Sequence, residues 1–309
     1  IVAAIGNASE GDTIHVRSVR TYNETIIIDK PLSLIGEDGR TELIGWGHIA
    51  GPYLHSIIQI EADDIKISGF TLYYDHHGIT GSGDRVQIIG NNMDGIGINL
   101  GGSYNTISEN NITNQGIRFS GSFNTVTGNN LIRGSLQLTG SSNTVSGNNI
   151  TDGGVSIGVN GDSNIISNNI ITDGSIGIEL ETGSGNTVYG NIITENWFMG
   201  IHLSTTFDNI IYENYIANNV YEHDGYGVSL SGRGYHAENN TFYRNTFMNN
   251  SYHFRVESPY YINYWDNGEE GNYWDDYESR YSDATTTDGI WNTPYVIDEN
   301  NQDNYPLAE

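Results

Sequence analysis

From residue 64 onward the chain alternates apolar and polar positions in runs of only three or four residues, and the runs recur. Six segments align without gaps, beginning at Asn105, Asn124, Asn143, Asn164, Asn186 and Asn209. Each places Ile or Val two positions on and a second asparagine five positions on, at Asn110, Asn129, Asn148, Asn169, Asn191 and Asn214. Asn240 and Asn245 continue the series, and Asp64-Ile-Lys-Ile and Arg85-Val-Gln-Ile extend it upstream. The interval between copies is about 19 to 23 residues and widens to 31 before Asn240.

Between the paired asparagines lies a third short alternation, seen in Gly97-Ile-Asn-Leu, Gly116-Ile-Arg-Phe, Gly177-Ile-Glu-Leu and Gly200-Ile-His-Leu. Period-two patterns of β-branched residues bounded by Gly, Asn, Asp and Ser are strands and turns. A repeat of about 20 residues accommodates three short strands with corners between them, and stacked repeats share one apolar core. The expectation is an all-β, right-handed, single-stranded parallel β-helix of about 10–11 coils. Asparagine tolerates left-handed corners, and its amide both donates and accepts. Identical amides one strand spacing apart (about 4.8 Å) can bond along the stack. The asparagines therefore read as frame, with a ligand site as the competing reading.

The pattern assigns residues 1–250 to the β-helix. Residues 1–10 form a short capping helix with Ile1, Ile5 and Ala8 on one face. Residues 251–309 are the last coil and an aromatic, acidic cap that covers it with Trp265, Trp274 and Trp291. Two segments break the regularity. Residues 72–81 hold His76 and His77 beside Asp75, and residues 217–238 enlarge one coil and carry His223, Asp224, Arg233 and His236. Loops that swell from a regular scaffold are common places for function.

Charge changes this picture by exclusion. The formal net charge of −26 repels phosphate backbones and anionic lipid, so nucleic acid and acidic membrane surfaces are poor partners. There is no cysteine, so redox compartment is not legible. No apolar run reaches the ~18–20 residues of a spanning helix, and membrane insertion is not expected.

Three stretches carry a resemblance to a known family. They are Ala8-Ser-Glu-Gly-Asp-Thr-Ile with Tyr22-Asn-Glu-Thr and Lys30-Pro-Leu-Ser-Leu-Ile-Gly, the asparagine coils, and the ending from Gly271-Asn-Tyr-Trp-Asp-Asp-Tyr to Leu307. Together they resemble the NosD-type, or CASH (carbohydrate-binding and sugar-hydrolase), β-helix proteins, especially secreted and surface versions of methanogenic archaea. The resemblance implies an extracellular or cell-surface protein acting on a polysaccharide or glycoconjugate. The family mixes glycan-cleaving enzymes, epimerases, periplasmic copper-site maturation factors and surface proteins. A structural or adhesion role with self-association, and a metal-handling role, therefore stand as alternatives. Relatives often carry a denser aspartate loop near the end, where this chain has only Asp283 and Asp288. No cofactor is assigned, and Ca2+ is the one ion that the ending leaves open.

The residue between Ile and Leu in each third strand should face solvent. Up the stack this column reads Asn99, Arg118, Gln137, Ser156, Glu179, His202, Ser229 and Arg255. Glu179 and His202 are thus expected one strand spacing apart, where the carboxylate can orient the imidazole. The preceding turn adds Asp94, Arg133, Asp152, Asp173 and Glu195. Glycoside hydrolysis needs two carboxylates, and eliminative cleavage needs a base with a neutraliser for the sugar carboxylate. Glu179 and His202 are the leading catalytic candidates, with Asp173, Glu195 and Arg118 as partners. Trp197, Asn99, Gln137, His223, Asp224 and Tyr226 would contact the glycan, the aromatic rings by stacking on sugar faces. An outward column must be polar in any case, so the plain reading of the same residues is a solvated face. No metal ligand set is assigned: adjacent His76 and His77 would face opposite sides of a strand. A cluster of His202, His223 and His236 is the remaining metal alternative.

Overall fold

The computed structural model describes residues 1–37, 39–44, 56–73, 77–220, 225–231, 237–257 and 261–308, with His77 described in its backbone only. The chain divides into two compact units, Ile1–Ile150 and Thr151–Glu309. Each is a stretch of parallel β-helix, as the repeat requires, and each contains three parallel sheets.

In the first unit a helix over Val2–Asn7 lies against the strand Ile26–Ile28 and buries Ile5. Its position is fixed by Glu24, whose carboxylate accepts from the Val2 backbone N–H at 2.9 Å, and by Lys30, whose ammonium donates to the carbonyls of Ile5 and Ala8. This is the expected capping helix, four residues shorter than the 1–10 read from the sequence. The coils then stack in register. In the first sheet Ile67, Ile88, Ile107, Val126 and Val145 follow one another at the central strand position, each with no measurable exposure. Burying one such side chain stabilises the fold by roughly 1.5–3 kcal/mol, so the alternation itself selects which face turns inward.

The asparagine ladder is built as the repeat suggests. The Asn110 carboxamide donates to Asn129 Oδ1 at 3.0 Å and to the Ile88 and Ser108 carbonyls, while its own Oδ1 accepts from the Asn91 backbone N–H and carboxamide. All its polar capacity is used inside the coil. One detail differs from expectation. The left-handed residue at each of these corners is the one before the ladder asparagine: Tyr104 (φ 61), Glu109 (φ 58) and Phe123 (φ 60), not Asn105, Asn110 or Asn124. The asparagine must aim its amide along the stack from inside the corner, so its neighbour takes the turn.

The second unit carries the same two ladders. One runs Asn164, Asn186, Asn209, Asn240, Asn263, Asn301, and the other runs Asn169, Asn191, Asn214, Asn245, Asn272. It adds a third ladder that the repeat reading missed: Asn196, Asn219 and Asn250 at the remaining corner. The signal was present, since each lies five residues after a ladder asparagine. The C-terminal segment covers the apolar end of this unit as anticipated. Trp265 stacks on Phe242 at 4.6 Å, Trp274 lies between Phe247 and Tyr295, and Trp291 stacks on Tyr277. Trp265 and Trp274 are fully buried, whereas Trp291 is half-buried.

Candidate active site

In the first unit the third sheet aligns Thr80, Asn99, Arg118 and Gln137 on successive coils, as the outward column requires. Asn99 and Arg118 are exposed and Gln137 is half-buried.

In the second unit the register differs at one place. Gly158, not Ser156, pairs with Glu179, because Ile157 and Val159 are the inward residues beside Ile178 and Leu180. Ser156 is fully buried and leaves the column. Three apolar residues, Val155, Ile157 and Val159, fit the alternation equally well, and only packing selected the last pair. From there the column is as read: Glu179 pairs with His202, His202 with Ser229, and Ser229 with Arg255.

The Glu179–His202 contact is a hydrogen bond of 2.9 Å between Oε1 and Nδ1, with side-chain exposures of 24% and 15%. The other ring nitrogen of His202 lies 3.0 Å from Ser231 Oγ and 3.2 Å from the Ser231 carbonyl. An ionised carboxylate only accepts, so Nδ1 must carry the proton. In the neutral ring Nε2 is then an acceptor that the Ser231 hydroxyl can donate to, and in the charged ring Nε2–H donates to that hydroxyl or to the Ser231 carbonyl. A backbone bond from Ser231 N–H to the Leu203 carbonyl, and the hydroxyl of Ser229 at 3.4 Å, fix the serine beside the ring. Sequence reading missed Ser231 because it lies just past the strand Tyr226–Leu230, at a position that every coil repeats.

The other candidates are placed as follows. Asp152, Asp173 and Glu195 occupy left-handed corner positions (φ 57, 58 and 59) and are exposed. They belong to the turn rather than to the strand that holds Glu179 and His202. Trp197 is 51% exposed just before the His202 strand. Tyr226 stacks on Tyr252 at 5.5 Å, with the Arg255 guanidinium over its ring. Asp75, His76, His223, Asp224, Arg233 and His236 lie outside the described residues, and with them the three-histidine alternative.

A second cluster stands apart from this column. His253, 8% exposed, bonds Asp275 at 2.8 Å and lies 3.4 Å from Asp276. The trio borders a cavity of about 450 Å³ with Tyr252, Arg280 and Tyr295. Burial opposes ionisation of Asp276, but the bonds from His253 and Tyr295 and the charge of Arg280 hold its carboxyl below the usual range.

Fold and site together define a parallel β-helix protein with a polar sheet face centred on a carboxylate-oriented histidine. The family described as periplasmic copper-binding protein (NosD) matches residues 5–223 and 141–279, and the chain belongs to that family. No curated protein matches it. Among solved structures it is similar to the A-module of a mannuronan C-5 epimerase from Azotobacter vinelandii, at 14% identity and TM-score 0.57 over 85% of this chain and 91% of that one. It is also similar to a mannuronic acid specific polysaccharide family 6 lyase from human gut microbiota, at 15% identity and TM-score 0.55 over 92% and 87% of the two chains. The Dettilon tailspike protein matches at 14% identity and TM-score 0.54 over 84% and 64%. At these identities the likeness is one of fold.

Among the described residues copper, which the family description names, finds a poor donor set. There are no thiolates, and the one candidate ligand cluster among the described residues offers a single imidazole with two carboxylates. One of those carboxylates is already claimed by Arg280 at 2.8 Å. Copper sites favour several imidazoles or sulfur ligands, and these residues do not match that preference.

Proposed function

We propose that this protein is a glycan-interacting β-helix that works outside the cytoplasm and acts on its polymer at the Glu179–His202 face. The observation that carries the reading is the 2.9 Å bond in which Glu179 orients a half-buried histidine on the third sheet. A solvated face has no need to fix one tautomer. Exposed Trp197 supplies an apolar ring face of the kind sugars stack on. The fold likeness to an epimerase and a lyase of uronate polymers supports the same class of partner. The test is a broad polysaccharide screen that reads both binding and chemical change, with wild type and His202→Ala compared. The reading fails if no polymer binds and none is altered.

A self-associating surface role has one observation in its favour. Ile170, Ile192 and Tyr215 form an in-register column on the second sheet and are 46%, 43% and 37% exposed. Sedimentation of the purified chain separates the two readings. Reversible oligomers that disappear on Ile192→Lys would support association through this face.

A further inference from the structure

We propose that Ser231 is a nucleophile and that Glu179, His202 and Ser231 form an acyl-transfer triad, which removes O-acyl esters from a glycan. The inference rests on the reading of this face as glycan-acting and adds the bond that is cut. Its support is geometric. A nucleophile and base within hydrogen-bond reach, with the base oriented by a third group, is the general arrangement for covalent acyl transfer. Here the two contacts are 2.9 Å and 3.0 Å, on opposite nitrogens of one ring.

The same geometry argues against glycosidic hydrolysis at this point. That reaction needs two carboxylates free to act on either side of the bond. Glu179 is committed to His202, and Asp173 and Glu195 sit at left-handed corners. Eliminative cleavage needs a base but has no use for a serine hydroxyl donating to it. Acyl transfer uses all three groups.

The steps balance with water as the sole co-reactant. Ser231 Oγ bonds to the ester carbonyl carbon while His202 Nε2 takes the hydroxyl proton. The resulting imidazolium is held between Glu179 and the Ser231 carbonyl 3.2 Å away, which accepts from Nε2–H once that nitrogen is protonated. Collapse breaks the bond from the acyl carbon to the sugar oxygen, and the sugar hydroxyl leaves with the proton from His202. Water then attacks the acyl-serine, again giving its proton to Nε2. Breakdown of that intermediate releases the carboxylic acid and restores Ser231–OH.

The full chain is treated with a fluorophosphonate probe and with p-nitrophenyl acetate, and assayed for acetate release from O-acetylated xylan and O-acetylated alginate. Expected results are covalent labelling at the Ser231 peptide, a burst of p-nitrophenol equal to the protein concentration, and acetate release from one of the polymers. Ser231→Ala should abolish all three while leaving far-UV circular dichroism and polysaccharide binding unchanged. Glu179→Gln should lower kcat at least 100-fold, since the ring loses the partner that fixes its tautomer. Absence of labelling with an unaltered circular dichroism spectrum, or labelling that persists in Ser231→Ala, overturns the proposal. Loss of polysaccharide binding with labelling intact would instead count against the glycan reading alone.

Discussion

The adjacent asparagines Asn110 and Asn111 provide a direct test of the ladder, because the same side chain has opposite roles at the two positions. Asn110 is fully buried, donates through its carboxamide to three acceptors and accepts from two donors. Asn111 is exposed and makes one side-chain bond, to Asn92 Oδ1 at 3.0 Å. Alanine at 110 removes all five bonds and leaves the buried Asn91 backbone N–H without its acceptor. An orphaned buried donor costs about 1–3 kcal/mol and each lost bond roughly 0.5–1.5 kcal/mol, so Asn110→Ala should destabilise by at least about 3 kcal/mol. Asn111→Ala should stay within about 0.5 kcal/mol of wild type. Asn110→Asp should be at least as damaging as alanine, because a carboxylate cannot donate to the Ile88 and Ser108 carbonyls it would face. Urea unfolding followed by far-UV circular dichroism gives the three values. The reasoning is refuted if Asn110→Ala costs less than about 1 kcal/mol, or if the two alanine variants are alike.

Other outcomes follow from particular residues. Asp303 ends one ladder, accepting from Asn272 N–H and the Trp274 indole, and burial pushes its carboxyl up to about 7 against those bonds. The folded state therefore binds this proton more tightly than the unfolded chain does. Its contribution to stability should be fully present below about pH 4 and lost as pH rises through about 7, and Asp303→Asn should remove that part of the slope in thermal unfolding between pH 5 and 8. Gly121 has φ 142 and packs against the Gly102 carbonyl, so Gly121→Ala should lower the unfolding midpoint by an amount worth at least 2 kcal/mol. Trp197→Ala should weaken polysaccharide binding about tenfold, the loss of one stacked ring, without changing the midpoint; unchanged affinity would remove Trp197 from the site.

Much of this molecule is determined by sequence alone. The Asn-x-Ile/Val-x-x-Asn repeat dictates parallel coils, because residues at a fixed period present identical amides and identical apolar knobs to their copies. That regularity also placed Glu179 beside His202 correctly, since strand register carries equivalent positions into contact. Where the pattern is degenerate, packing decided. Val155, Ile157 and Val159 offer two equivalent alternations, and burial of the last pair put Gly158 rather than Ser156 into the column. Left-handed geometry fell to the residue before the ladder asparagines of the regular coils, as at Tyr104, Glu109 and Phe123, because the amide is needed inside the corner, a preference that composition does not encode. Ser231 was beyond reach for a different reason. It follows Leu230 as Ser204 follows Leu203 and Ser120 follows Phe119, a position that every coil repeats, so nothing in the sequence singles it out, and only the structure shows its hydroxyl 3.0 Å from Nε2 of His202.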